Sequence, residues 1–521
     1  MARRARPVTG PVTRAGRAVA LGIAGLTLGT LLAVLLRADT ASFGVADWSA
    51  LRFTVLAALT AAALSVGLAV PAARALARRR FPGRGLIVSL MGAPFLLPVV
   101  VAVLGLLAVF GRSGLLNRGL EGVGLPTVSI YGPHGVVLGL VFFNFPLAVR
   151  MILSGWQAIP AERLRLAAAL GFRSAGIFRH LELPMLRQTL PGAFVAIFLV
   201  CLTSFAIPLT LGGGPRATTL ELGIYQALRF DYDLGRAALL AAAQFALCAV
   251  AVGLAGRMAV PTRFGAGLDR PVERWDAQGL ALRMQDAVVL MLGCGFLMLP
   301  LAMIAFRGIE GLADMPASVW PAALRSVLVA VVSTGLCMAA TIALCTAISA
   351  GPAARWIETA GMLPLAASSL VLGTGLFILV HPFAAPERLA LPVTALVNAA
   401  MALPYALRLT LPAHREVEAA YGRLADSLAL TGLTRLRWLI LPRLRPVIGF
   451  ASGVAAALSM GDLGVIALFA NEGQATLPLV VQQLMGAYRM QAAAGASLLL
   501  VGLSFALFWI CDRGGRRHAA A

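Results

Sequence analysis

Lysine is missing from this chain: all 43 of its basic residues are arginine. A P-loop needs the lysine of Gly-x-x-x-x-Gly-Lys-Ser/Thr on the β- and γ-phosphates, so nucleotide hydrolysis of that kind is excluded. A lysine Schiff base is excluded for the same reason. Charge of either sign is scarce, 12 % of residues against roughly 25 % in soluble domains. The longest polar stretches, around 257–286 and 408–446, leave no room for a soluble domain. The six cysteines (Cys201, Cys248, Cys294, Cys337, Cys345 and Cys511) have no CxxC spacing and read as small packing residues in apolar segments. The five histidines form no HxxxH or HExxH pair, so neither a metal nor another cofactor is expected. Gly212-Gly213-Gly214-Pro215 reads as a plain turn, and no nucleophile–base pair is spelled out locally. An enzyme is not expected.

What is present is apolar. Hydrophobic residues make up 60 % of the chain, and the mean hydropathy is +0.87. Runs long enough to cross a bilayer, about 20 residues each, recur near 17–36, 53–73, 86–110, 135–155, 190–211 and 237–256. They recur again near 287–306, 322–350, 358–381, 389–410, 447–470 and 491–511. The expectation is an all-α polytopic membrane protein with about 12 transmembrane helices, six in each half. With the N-terminus inside, the inner segments and helix ends hold 32 of the 43 arginines but only 11 of the 22 acids. Arg78-Arg79-Arg80 and the terminal Arg513, Arg516 and Arg517 fit that positive-inside pattern, which puts both termini in the cytoplasm. Met1-Ala-Arg-Arg resembles a signal n-region, but the apolar stretch after it is too long, and a retained first helix is expected.

A polar loop is written twice, 258 residues apart. Arg165-Leu-Ala-Ala-Ala-Leu-Gly171, running on to Leu183-Pro184, corresponds to Arg423-Leu-Ala-Asp-Ser-Leu-Ala429, running on to Leu441-Pro442. The repeat divides the chain into a first half, 1–258 with its loop at 162–184, a linker, 259–285, and a second half, 286–521 with its loop at 419–442. The outer segments repeat too: Thr219, Leu220, Leu222 and Gln226 match Thr476, Leu477, Leu479 and Gln483. These either meet a bilobed partner or close the outer mouth of a pathway.

The Ala-rich start, the seventh-position glycine and the terminal Leu-Pro resemble the EAA loop of bacterial ABC importer permeases. That resemblance implies a MetI-like permease fold and a knob that docks into a separate ATPase, one ATPase copy per loop. It places Leu166, Ala167, Ala168, Gly171, Phe172 and Pro184, with Leu424, Ala425, Leu428, Ala429 and Pro442, at the contact. The family's glutamate is replaced by Arg165 and Arg423. Ala429 stands where glycine is usual, so another residue, Gly432, is expected to supply the turn. Ser204–Asp233, Arg80–Arg84, Val141–Pro146 and Ser459–Phe469 resemble thiamine importer permeases. This implies import of thiamine or its phosphates, delivered by a periplasmic binding protein, in the bacterial inner membrane. Ferric-iron importer permeases share the fused layout and are the alternative; an ion-coupled secondary transporter is a further one. No nucleic-acid partner is expected.

A cationic substrate calls for aromatic faces and a carboxylate along its route. Asp462 is the acid expected inside a helix, and Asn144, Asn398, Phe143, Phe205 and Tyr405 are the other candidates for the pathway.

Overall fold

The computed structural model describes residues 11–38, 42–91, 97–258, 274–349, 351 and 353–516, and all regular structure among them is helical. Among the helices of the first half of the chain are α1 (Pro11–Ala38), α2 (Val45–Arg78), α3 (Val99–Phe110), α4 (Pro133–Gln157), α5 (Ala161–Ala169), α6 (Leu183–Leu202), α7 (Ala206–Leu211), α8 (Leu220–Arg229) and α9 (Leu234–Met258). The second half has α10 (Leu280–Gly311), α11 (Val319–Ser349), α12 (Ser369–Val380), α13 (Ala390–Ser427), α14 (Leu441–Met460), α15 (Gly464–Phe469), α16 (Leu477–Gly486) and α17 (Met490–Arg516). Among the described residues 11 helices are long and apolar enough to span a membrane, or 12 if one bent pair counts as a span. Most of the expected linker, residues 259–273, lies outside the described residues.

Four expected spans are not single rods. Within 86–110 the chain forms a short helix, Arg84–Leu90, and then α3, which starts after Pro98; residues 92–96 between them are not described. Within 358–381 the axis turns by 93° between Ala366 and Ser369. There Ser368 ends one piece and caps α12, its hydroxyl accepting from Val371 N at 3.0 Å. The spans at 190–211 and 447–470 are each broken near their outer ends, α6 from α7 at 203–205 and α14 from α15 at 461–463. Conversely 408–446 is less a loop than expected, because α13 runs on to Ser427.

The first helix of each half leans on the other half. α1 packs on α11 and α12, and α10 packs on α2 and α3. The crossings are close because small residues sit in them: a Cβ on Gly16 would run into the Ala343 carbonyl, and one on Gly375 into Thr30. The core runs between the halves, with Phe142, Phe469 and Leu106 among its largest buried side chains.

Candidate coupling loops and pathway

Both loops end their helix in the same way. In the first, Gly171 has φ +67°, and Phe172 N donates to Ala167 O at 2.9 Å. In the second, Ala429 has φ +55°, and Leu430 N donates to Ala425 O at 2.9 Å. This six-to-one bond with a left-handed residue before it is the Schellman termination. The expectation that Gly432 replaces Ala429 in the turn is therefore corrected. Ala429 takes the left-handed conformation itself, and Gly432 is left-handed as well, at φ +53°. Beyond each turn the chain forms a π-helical turn, Phe178–Glu182 or Leu436–Ile440, directly before Leu183-Pro184 or Leu441-Pro442. Proline has no N–H and its ring crowds the carbonyl four residues back, so the turn widens.

The loops expose apolar surface. Leu166, Leu170, Leu424 and Leu428 are 57–63 % exposed, whereas Ala167 and Ala425 are only 4 % and 2 % exposed. Ala168, Gly171, Ala429, Arg165 and Arg423 are exposed, and Phe172 is half-buried. The two alanines seat each loop on its own protein; the leucines are what it offers outward. Leu170 carries as much of this surface as Leu166, and its match to Leu428 in the repeat was the signal for it.

The first loop is also tied to the rest of the chain. Glu182 is fully buried and meets Arg74 Nε at 2.7 Å and Arg274 NH2 at 2.9 Å, with Arg78 NH2 3.9 Å away. Trp275 Nε1 donates to Phe172 O at 3.4 Å, and Arg78 NH2 donates to Ser174 Oγ at 3.1 Å. Arg274 also binds Asp276 at 2.7 Å. Burial opposes the Asp276 charge, but the bond to Arg274 and the charges of Arg274 and Arg78 outweigh it and hold its pKa below the ordinary value. Nothing in the repeat pointed to this clamp, because its members are far apart in sequence.

Four of the six pathway candidates come together. A cavity of about 230 Å³ is lined by Phe143, Asn144, Phe205 and Asp462, with Thr203 and Ser204 among its other walls. Asp462 is not inside a helix as expected: it lies in the break between α14 and α15, opposite the α6–α7 break that holds Ser204. Ser204 is its counterpart at the 258-residue offset. The start of α15 has amides without intrahelical partners, and those of Gly464 and Val465 bind the Asp462 carboxylate. Its Oδ2 is buried with no hydrogen-bond partner among the described residues. Gln244 Nε2 finishes the other break by donating to Leu202 O at 2.7 Å. Asn144 Nδ2 donates to Leu140 O at 2.8 Å. The two remaining candidates do not line the cavity. Asn398 donates to Ser459 Oγ at 3.0 Å, tying α13 to α14, and Tyr405 is half-buried elsewhere on α13. At this size the cavity is below the roughly 300–1,000 Å³ of ordinary ligand pockets.

On the opposite face the repeated segments form α8 and α16, which are mostly buried. Glu221 of α8 is 0 % exposed, with Ser368 and Gln244 as its polar neighbours, and no sequence signal marked it as buried. The turns that follow are exposed. Tyr232 and Tyr488, 256 residues apart, both have positive φ (52° and 58°) and are 82 % and 87 % exposed.

Two matched loops, many membrane-length helices and one cavity where two broken helices meet are the layout of a membrane-spanning permease built from two similar halves. Residues 65–259 match the family of binding-protein-dependent transport system inner membrane components. The chain is 39 % identical to the thiamine transport system permease protein ThiP of Brucella abortus over 533 residues, covering 99 % of this chain and 97 % of that protein. It is 39 % identical to the protein of the same name from Escherichia coli (strain K12), with 89 % of each covered. It is also 31 % identical to the molybdenum transport system permease protein ModB of Mycobacterium bovis, over 45 % of this chain and 90 % of that protein. The chain belongs to the family of thiamine transport system permease proteins, multi-pass proteins of the inner membrane that are not themselves enzymes.

Proposed function

We propose that this chain supplies both walls of the pathway in an ATP-driven importer of thiamine and its phosphate esters, with residues 1–258 forming one half and 286–521 the other. The observation that carries this reading is the pair of loops with one hydrogen-bond pattern, 258 residues apart, each presenting two exposed leucines. Each knob takes one copy of a cytoplasmic ABC ATPase, so one chain binds two. The face carrying the loops, Arg78–Arg80 and Arg516 is then cytoplasmic, as are both termini. The match of the half-length molybdenum permease to less than half of this chain supports the division into halves.

On the outer side, buried α8 and α16 close the mouth, and the exposed Tyr232 and Tyr488 meet the two lobes of a periplasmic binding protein. Thiamine carries a permanent thiazolium charge. At the cavity between the two helix breaks Phe143 and Phe205 offer it aromatic faces, and the free Asp462 Oδ2 offers a carboxylate oxygen.

The test is ATP-dependent uptake of labelled thiamine in vesicles holding the chain, its ATPase and its binding protein, with ferric iron as competitor. Uptake that iron leaves unchanged is expected; iron uptake without thiamine uptake overturns the substrate and keeps the architecture. Asp462→Asn should lower uptake per correctly inserted molecule at least tenfold. Full activity per molecule would mean that the carboxylate only packs.

A further inference from the structure

We propose that the face bearing the coupling loops holds a site for one anionic phospholipid, its phosphate held by arginines between the end of α2 and the start of α10. A cavity of about 1,000 Å³ opens there, lined among the described residues by Arg78, Arg79, Arg80, Arg84, Arg274 and Arg283 but by one carboxylate, Asp286. Arg79 takes that carboxylate at 2.7 Å. Arg84 spends its Nε on Leu76 O at 2.8 Å, and Arg80, Arg84 and Arg283 meet no carboxylate among the described residues. Arg78 is the second sign of a missing ligand. Its side chain is 1 % exposed, and its Nε is buried without a hydrogen-bond partner among the described residues. Leaving a buried charged donor unmatched is costly, and a phosphate oxygen is the acceptor that a planar guanidinium fits best.

The other wall identifies the phosphate as that of a lipid. Phe81, Ile87, Leu290 and Met291 line the same cavity, and Met291 lies on the outer face of α10, where exposed apolar side chains continue through Val288 and Leu292. Guanidinium groups beside an apolar wall, at the point where two spans enter a membrane surface, suit a headgroup with its acyl chains and not a small soluble anion. The site is wired to one coupling loop. Arg78 and Arg274 line it and also hold Ser174 and Glu182, so its occupant shares the cations that brace the first loop. In the second loop Ile440 stands at the position corresponding to Glu182, so that carboxylate has no counterpart there.

The experiment is native mass spectrometry of the permease–ATPase complex from phosphatidylcholine nanodiscs doped with phosphatidylglycerol. Wild type is expected to keep one phosphatidylglycerol through delipidation. Arg80→Gln with Arg283→Gln, both exposed and outside the Glu182 clamp, should weaken retention roughly tenfold to thirtyfold. Arg112→Gln with Arg216→Gln, on the opposite face, should leave retention unchanged. Equal retention in the two double variants, or no retained anionic lipid in wild type, overturns the proposal. Displacement of the lipid by millimolar inorganic phosphate also overturns it, assigning the cavity to a small soluble phosphate.

Discussion

The first repeated loop is held by ion pairs to residues far away in the chain, whereas the ion pairs of the second, among the described residues, are local, although its helix Gly432–Arg435 also packs on α1. At the first, α4 stops at Gln157, Pro160 starts α5, and the knob is held by Glu182 against Arg74 and Arg274 and by Trp275 on Phe172 O. At the second, α13 runs unbroken through the corresponding region to Ser427. There Arg435 binds Asp426 at 2.7 Å and reaches Glu418 from Nε at 3.1 Å. The offset of 258 shows how the brace moved. Pro160 and Ile177 in the first loop stand where Glu418 and Arg435 stand in the second, while Glu182 stands where the second has Ile440. One half has an apolar pair and a distant ionic clamp; the other has a local ion pair and an apolar plug. The same backbone turn is thus secured by two unrelated sets of side chains, because a Schellman turn specifies hydrogen bonds and not the residues that hold it down.

That comparison breaks most directly at Glu182. Glu182→Ala removes the carboxylate shared by Arg74, Arg78 and Arg274, leaving Asp276 as partner of Arg274 alone, and should cost about 3–5 kcal/mol. Glu418→Ala removes a part-exposed partner and should cost no more than about 1 kcal/mol. Thermal unfolding of the purified complex checks both, and equal losses would mean that the two braces are alike after all.

The next effect tests where the loops are the same. Leu170→Ala and Leu428→Ala should each weaken ATPase binding by about 1.5–3 kcal/mol, read as the number of ATPase copies retained on dilution. A loss at one leucine only would confine docking to a single loop. Smaller still, Gly171→Ala should destabilise by about 1 kcal/mol, while Ala429→Gly should stabilise by about the same amount, since each position is left-handed. Opposite signs in the unfolding temperatures confirm the shared turn.

The smallest effect is with pH. The lowered pKa of Asp276 means that its contribution to the clamp is complete above the ordinary aspartate range and is lost only as pH falls through the lowered value. Stability between pH 6 and 8 should therefore be the same in Asp276→Asn as in wild type, apart from a constant offset. A slope appearing in that window would show that another group titrates in the clamp.

The loops were readable in advance because their glycine, leucines and proline act within a few residues of one another. The substitution of Ala429 for glycine is visible in the sequence, but its outcome is not, because the six-to-one bond from Leu430 to Ala425 outweighs the cost of a left-handed alanine. Asp462 stands out in the sequence as an unusual acid in an apolar run, but hydropathy does not register the three-residue break that holds it. The Glu182 clamp was invisible, as was the burial of Glu221, because both depend on partners brought from distant helices.

By itself the sequence determined the apolar segments, the repeat and the presence of a turn after each loop helix. Hydropathy over about 20 residues and capping over six are local, and a membrane leaves an apolar segment little choice but helix. Only the tertiary structure decided that α1 and α10 each lean on the opposite half, that the breaks at Ser204 and Asp462 face one cavity, and that Arg274 and Trp275 of the linker grip the first loop. Those outcomes depend on which small residues let two helices approach and on which buried charges find each other, and both are settled only when distant segments pack.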